Sequence, residues 1–183
     1  MLGLKAVKYP EEADGSSVGE AAESWEMSGD RLTLTFKLRQ GMKWDAREPT
    51  NGRPLDAQDV LFSWEKFKRL NTLNTALAYH ATNAPEAAVE SLSAPDSRTI
   101  VAKLHHPDAS ILALFSARDI FYIEPREADS AFDPKTTVRG HGPFILENYV
   151  PSASFTWRRN PDYYQKDRPF IDRVELPLVS DQA

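Results

Sequence analysis

In the stretch "RLTLTFKLR", Leu32, Leu34, Phe36 and Leu38 fall on one parity, and Thr33, Thr35 and Lys37 on the other. A period of two marks a strand with one face buried and one wet. "ESWEM" precedes it across Ser28-Gly29-Asp30, a tight-turn sequence, so residues 24–39 are predicted to form a hairpin that ends at Gly41. Beyond Asp56 the period changes. In "AQDVLFSWEKFKRL", Val60, Leu61, Trp64, Phe67 and Leu70 recur at helical spacing, while Asp59, Glu65, Lys66 and Lys68 take the other side. Asp56 stands at the N-cap. The aromatic side chains of this face read as core rather than as a binding platform, each stabilising the fold by roughly 1.5–3 kcal/mol on burial.

The remaining segments alternate between turn chemistry and short apolar runs. Residues 12–19 are polar and Gly/Ser-rich, and "DAREPTNGRPLD" is dense in turn formers; both are predicted to be loops, the second on the surface. In "AAVESLSAPDSRTIVAKLHHP" the alanines favour helix, but the turn "APDSR" and the β-branched "TIV" point to a second hairpin. "DASILALFS" reads as a short helix capped by Asp108, and Pro125 to Asp129 as one further helical turn. "PFILENYV", "SFTWRR" and "DRVELPLV" complete the set as three strands. Phe144, Leu146 and Asn148 are expected to share one face of the first, and Trp157 to face the core from the second. No internal repeat appears. The fold class implied is α+β, with mixed or antiparallel strands and a few helices.

Composition narrows the function. A chain of 183 residues with 41% hydrophobic and 27% charged residues is long enough for one ordinary core. A net charge of −5 argues against nucleic acid as a partner. Without cysteine, thiolate zinc sites, thiol nucleophiles and disulfides are excluded. No apolar run approaches the ~20 residues of a membrane helix. The N-terminus carries no basic segment followed by an apolar stretch and a cleavage site.

Candidate catalytic and metal-binding groups are few. His105-His106 are adjacent, so on a strand they point to opposite faces and chelate one ion poorly; they read as a polar strand end before Pro107. Asp45 and Glu48 form a nearby carboxylate pair, but their turn-rich surroundings predict a solvated loop with no reason for a shifted pKa. "GHGP", around His141, lacks the lysine and hydroxyl of a phosphate loop and leads into a strand rather than a helix. Its glycines read as the corner of that strand. GxSxG is absent. No cofactor is implied and the chemistry points to binding rather than catalysis.

Five motifs in order carry more information than any of them alone: "ESWEMSGDRLTLTFKLRQGMKW", "GRPLDAQDVLFSWEKF", "SLSAPDSRTIVAKLHHPDASIL", "GHGPFILENYVPSASFTWRRNPDYY" and "RPFIDRVELPLV". Together, over about residues 20–180, they resemble the family 5 extracellular solute-binding proteins, the dipeptide-, oligopeptide- and nickel-binding receptors of ABC importers. The chain departs from the family pattern in a longer first loop, in His141 where threonine is usual, and in Phe144 where tyrosine is usual. The resemblance implies part of a type II periplasmic-binding-protein-like fold, in which two lobes close over a small solute, peptide-like in most members, and a membrane permease receives it. It implies a binding protein, not an enzyme, outside the cytoplasmic membrane and in some members lipid-anchored.

Such receptors run to roughly 500 residues, so this sequence is expected to be a fragment of the first lobe, with Met1 an internal or artificial start. Residues 24–139 would be its small extra subdomain and 140–183 the return strands. By position in the family, Asn74, Tyr79 and Arg118 are the candidate ligand-binding residues. Two other classes stay open: a self-contained carbohydrate or protein interaction module that stacks ligand on Trp25, Trp44 and Trp157, and a metal-dependent enzyme domain using His105, His106 or Asp45. The solute itself is not named by the sequence.

Overall fold

A computed structural model describes residues 2–4, 17–117 and 120–179. The chain forms two compact units, residues 1–40 with 56–123, and residues 41–55 with 124–183.

The first unit is built on both predicted hairpins. Strands β3 (Ala22–Met27) and β4 (Thr33–Leu38) pair antiparallel across the 28–32 turn. There the Ser28 hydroxyl accepts from the Thr33 N–H at 2.9 Å, and the Asp30 carboxylate accepts from the Leu32 N–H at 3.0 Å. Strands β5 (Val89–Asp96) and β6 (Thr99–Leu104) form the second hairpin, so the turn chemistry of "APDSR" prevails over alanine's helix preference. The sheet order is β3-β4-β6-β5. Its register sets Phe36 opposite Ile100 and Leu34 opposite Ala102, all four fully buried.

Helix α1 (Ala57–Leu70) packs on β5 and β6. Asp56 caps it as expected, its carboxylate accepting from the Gln58 N–H at 2.9 Å. Asp59 departs from expectation. Predicted on the wet face, it is fully buried, because its carboxylate turns back to accept from the Asp56 N–H at 3.1 Å and closes a reciprocal capping box. At the other end of the helix Leu70, predicted apolar-side, is 60% exposed.

Val60, Trp64 and Phe67 are buried. Trp64 and Phe67 meet Phe121 edge-on at 5.9 and 5.7 Å, and Phe115 joins Phe121 to Phe36 through centroid distances of 6.2 and 5.1 Å. These rings knit helix and sheet into one core. Helix α2 (Ile111–Ser116) begins two residues later than expected. Ser110 is its N-cap, and the Asp108 carboxylate instead accepts from the Ser110 N–H at 2.7 Å. Residues 17–19, predicted as loop, form a short strand β2 (Ser17–Gly19) paired with β1 (Leu2–Leu4).

The second unit joins the 41–55 segment to the three late strands β7 (Phe144–Val150), β8 (Ser154–Arg159) and β9 (Arg173–Pro177), an antiparallel sheet in that order. A bulge between Leu146 and Asn148 breaks the alternation predicted for β7; Ile145 is the buried residue and Asn148 is exposed. Trp157 is half-buried, while its neighbour Thr156 is buried. Pro125 to Asp129 forms turns rather than a helical turn, with the Ala128 N–H donating to Pro125 O at 2.9 Å.

Segment 41–55 is not a wet loop. Trp44, Asp45 and Thr50 are 2%, 1% and 1% exposed. The segment folds back on itself through Trp44 N–H to Arg53 O and Leu55 N–H to Met42 O, each 3.0 Å. Gly41 and Gly52 turn the chain at φ +82° and +66°, values that disfavour a side chain. Gly140 and Gly142 do neither, so the "GHGP" corner does not owe its glycines to the left-handed region.

Candidate functional site

In the first unit, the chain leaving α1 encloses a cleft of about 220 Å³. Asn71 ends the helix: its side chain accepts from the Leu73 N–H at 2.7 Å and donates to Ile120 O at 3.2 Å. One 3-10 turn follows (Asn74–Ala76), and fully buried Leu77 anchors its end. The chain then runs beside the start of β5, with the Tyr79 N–H donating to Val89 O at 2.8 Å and the Val89 N–H to Leu77 O at 2.9 Å. A tight turn from His80 to Ala84 closes the far wall through two mutual backbone hydrogen bonds of 3.2 and 2.9 Å.

Polar groups on this path are held in place. Asn74 donates its side-chain amide to Lys68 O at 2.7 Å, occupying one of the carbonyls that α1 leaves at its end. Tyr79 lies flat on His105, with ring centroids 3.8 Å apart and planes 17° from parallel. His80 Nδ1 accepts from the backbone N–H groups of Thr82 and Asn83 at 3.3 and 3.2 Å, the work an Asn or Asp side chain does in a turn. Asn74 and Tyr79, two of the candidate ligand residues, therefore share one cleft, in whose lining Lys68, His80 and Asn83 also stand. Arg118 lies outside the described residues. Lys68, His80 and Asn83 were not candidates in the sequence: a lysine late in a helix and a polar turn carry no motif of their own.

The second unit has a larger cleft, about 420 Å³, formed by the single loop 159–168. Its rim carries Arg159, Lys166 and Arg168 together with Asp167, all exposed. One loop supplies every wall, so it is the less built of the two.

Among the described residues of the second unit, Asp45 is the buried ionisable group. Its carboxylate accepts from the Arg47 N–H at 3.0 Å and from the Arg47 guanidinium through both oxygens. Burial pushes the Asp45 carboxyl up, but the Arg47 hydrogen bonds, the Arg47 charge and then that of Arg139 outweigh burial and hold it below the usual carboxylate range. An ionised, doubly held carboxylate is a structural clasp, not a general acid or base poised near neutrality. The expectation of a solvated Asp45 fails because its partner lies two residues away and its own N–H is taken by Gly140 O at 2.9 Å.

His105 and His106 sit edge to face with centroids 6.1 Å apart. Among the described residues no group of three His, Cys, Asp or Glu side chains is gathered to hold a metal ion. Of the three tryptophans of the stacking platform, Trp44 is buried and cannot offer a face to a ligand. His141 packs edge-on against Trp44 at 5.1 Å, a corner contact. Among the described residues no helix is long and apolar enough to cross a membrane.

The model of a family described as bacterial extracellular solute-binding proteins, family 5 Middle, matches residues 17–183. The dipeptide-binding protein DppE of Bacillus subtilis (strain 168) is 28% identical over 173 residues, covering 88% of this chain and 31% of its own length. Di/tripeptide-binding protein 2 of Pseudomonas aeruginosa (strain UCBPP-PA14) is 30% identical over 176 residues, with 87% and 32% covered. Among solved structures, the periplasmic binding protein AgaA of A. tumefaciens R10, in complex with agropinic acid, superposes with a TM-score of 0.76 at 26% identity, covering 92% of this chain and 32% of that one. The chain thus spans about a third of the length of the relatives it matches, and its sheets and helices are part of a type II periplasmic-binding-protein fold.

Proposed function

Because the chain belongs to the family 5 bacterial extracellular solute-binding proteins, we propose that it is part of the first lobe of an ABC-importer receptor that captures a peptide-like solute between two lobes and hands it to a membrane permease. The observation that carries this reading is the family match running through residues 17–183. Dipeptide and di/tripeptide binding by two relatives supports a peptide as the solute. In this reading residues 24–139 make the small extra subdomain and 140–183 the return strands, and the receptor works outside the cytoplasmic membrane, held there by a lipid anchor or free in the periplasm. It binds and releases without catalysis.

Asn74, Tyr79 and Arg118 face the solute in this proposal. Asn74 has committed its NH2 group to Lys68 O, which leaves its carbonyl oxygen to accept from a peptide N–H. Tyr79, braced by His105, offers a ring face and a hydroxyl at little entropic cost. Arg118 supplies a planar cation able to grip a carboxylate with two hydrogen bonds.

Closure of two lobes buries roughly 70–90% of a ligand of drug size, and one wall supplies a small part of that. Calorimetry of this chain with a dipeptide is therefore expected to show no binding tighter than millimolar, and the polypeptide carrying both lobes to bind in the micromolar range. Micromolar affinity in the isolated chain would refute capture between lobes. In the two-lobed protein, Asn74→Ala and Tyr79→Ala should each weaken binding several-fold; unchanged affinity in both removes them from the site.

A further inference from the structure

We propose that the cleft between the end of α1 and the His80 turn receives the carboxylate end of the solute, an inference that rests on the solute-facing reading of Asn74 and Tyr79. The chain as a whole is acidic, with 27 Asp and Glu against 22 Lys and Arg. This cleft is charged through Lys68, whose partner Glu65 stands outside the lining. Its lining carries Lys68 and His80, and among the described residues no carboxylate joins them. Asn74, Thr75, Tyr79 and Asn83 complete the polar wall, while Ala78 and Ala84 keep it open by the smallness of their side chains.

Lys68 supplies the charge. Its ammonium now rests on the Glu65 carboxylate at 2.7 Å, one helical turn back, with the two side chains 39% and 68% exposed. Exposed pairs of this kind are weak, so an incoming carboxylate can share or take the ammonium at little cost. His80 supplies a second donor. With Nδ1 accepting from two backbone N–H groups, the neutral ring carries its proton on Nε2, where it can donate. The carbonyl end of α1 also lies here and would repel an anion, but Asn74 has covered Lys68 O. Size limits the occupant. About 220 Å³ is below the roughly 300–1,000 Å³ of a whole-ligand pocket, so the cleft fits one end group with its adjoining backbone.

The test compares three probes on the 183-residue chain by amide NMR: N-acetylglycinate, its neutral twin N-acetylglycinamide, and inorganic phosphate. The acid should shift the amides of Asn74, Thr75 and Asn83 saturably at millimolar concentration, with the amide at least about threefold weaker, as expected for one exposed ion pair. Lys68→Gln should erase that preference, and Glu65→Gln, which frees the ammonium, should tighten the acid about twofold. Equal response to acid and amide would overturn the carboxylate assignment while leaving the cleft as a solute contact. Phosphate binding tighter than the acid would overturn it in favour of a phosphorylated ligand. Response to none of the three, or weakening by Glu65→Gln, would overturn the proposal, while the solute-facing reading of Asn74 and Tyr79 stands or falls separately with the Asn74→Ala and Tyr79→Ala affinities of the two-lobed protein.

Discussion

Neutralising Asp45 in the Asp45→Asn variant tests whether the 41–55 segment is held by a charge. The wild-type carboxylate is 1% exposed and accepts three hydrogen bonds from the Arg47 side chain and one from the Arg47 N–H. Removing one member of a fully buried pair costs about 3–5 kcal/mol. Here Arg47 keeps 36% of its side chain in water, so it is resolvated when abandoned and the loss is smaller. Hydrogen bonds to a charged group are worth about 1.5–3 kcal/mol, and with an amide oxygen still present to accept, about 1.5–3 kcal/mol is the expected loss for the whole substitution at pH 7. The two units need not unfold together, so urea unfolding is best followed at the amides of residues 44–53, which report the second unit.

The pH dependence gives the test its sign. In the folded chain the Asp45 carboxyl titrates below its ordinary value of 3.8. Its contribution is therefore complete well above pH 4 and is lost as the pH falls through 3.8 and then the folded value. The gap between wild type and variant should narrow as the pH falls below 3.8 and close only below the folded value. A loss under ~0.5 kcal/mol at pH 7, the size of an ordinary surface substitution, or a gap that does not narrow at all as the pH is taken down through the acid limb, would refute the clasp.

Other expectations follow from the same contacts. Trp64→Ala should cost about 3–5 kcal/mol, read from denaturant unfolding of the first unit, since Trp64 is 1% exposed amid Phe67 and Phe121. Asp56→Ala should cost about 1 kcal/mol, seen as a lower melting temperature of the helical circular dichroism signal. Gly41→Ala should cost about 1–2 kcal/mol from its positive φ alone, because an added Cβ meets nothing within 4 Å. Gly142→Ala has equal room and no such φ, so it should change stability by less than ~0.5 kcal/mol. Equal costs at the two glycines would show that the "GHGP" corner is strained after all.

Elements whose order is local were legible. The two hairpins and α1 follow from period two, period 3.6 and turn chemistry, which neighbours in sequence decide. What the sequence hid depended on distant or reciprocal partners. Asp45 looks like any loop aspartate until Arg47 and Gly140 O surround it. Asp59 reads as a wet helix residue because its partner is the N–H of the cap itself. The Ser17–Gly19 strand exists only through pairing with Leu2–Leu4. At the cleft, Asn74 and Tyr79 came from family position, not from chemistry. Lys68 and His80 were invisible because a lysine paired with Glu65 one turn back reads as an ordinary helix-surface ion pair, and a histidine in a polar turn carries no motif; only the fold brings the two to one cleft.

The second unit is discontinuous: residues 41–55 belong with 124–183, and 56–123 intervene. On a ribosome this sets an order. Residues 1–40 and 56–123 are complete before the second unit has most of its strands, so the first unit can close while the chain is still growing. Trp44 and Asp45, meanwhile, await His141 and Gly140, roughly 95 residues downstream, which at 5–20 residues per second means about 5–20 s of exposure. A tryptophan without its His141 contact for that long is something a chaperone, or another nascent chain, has time to find.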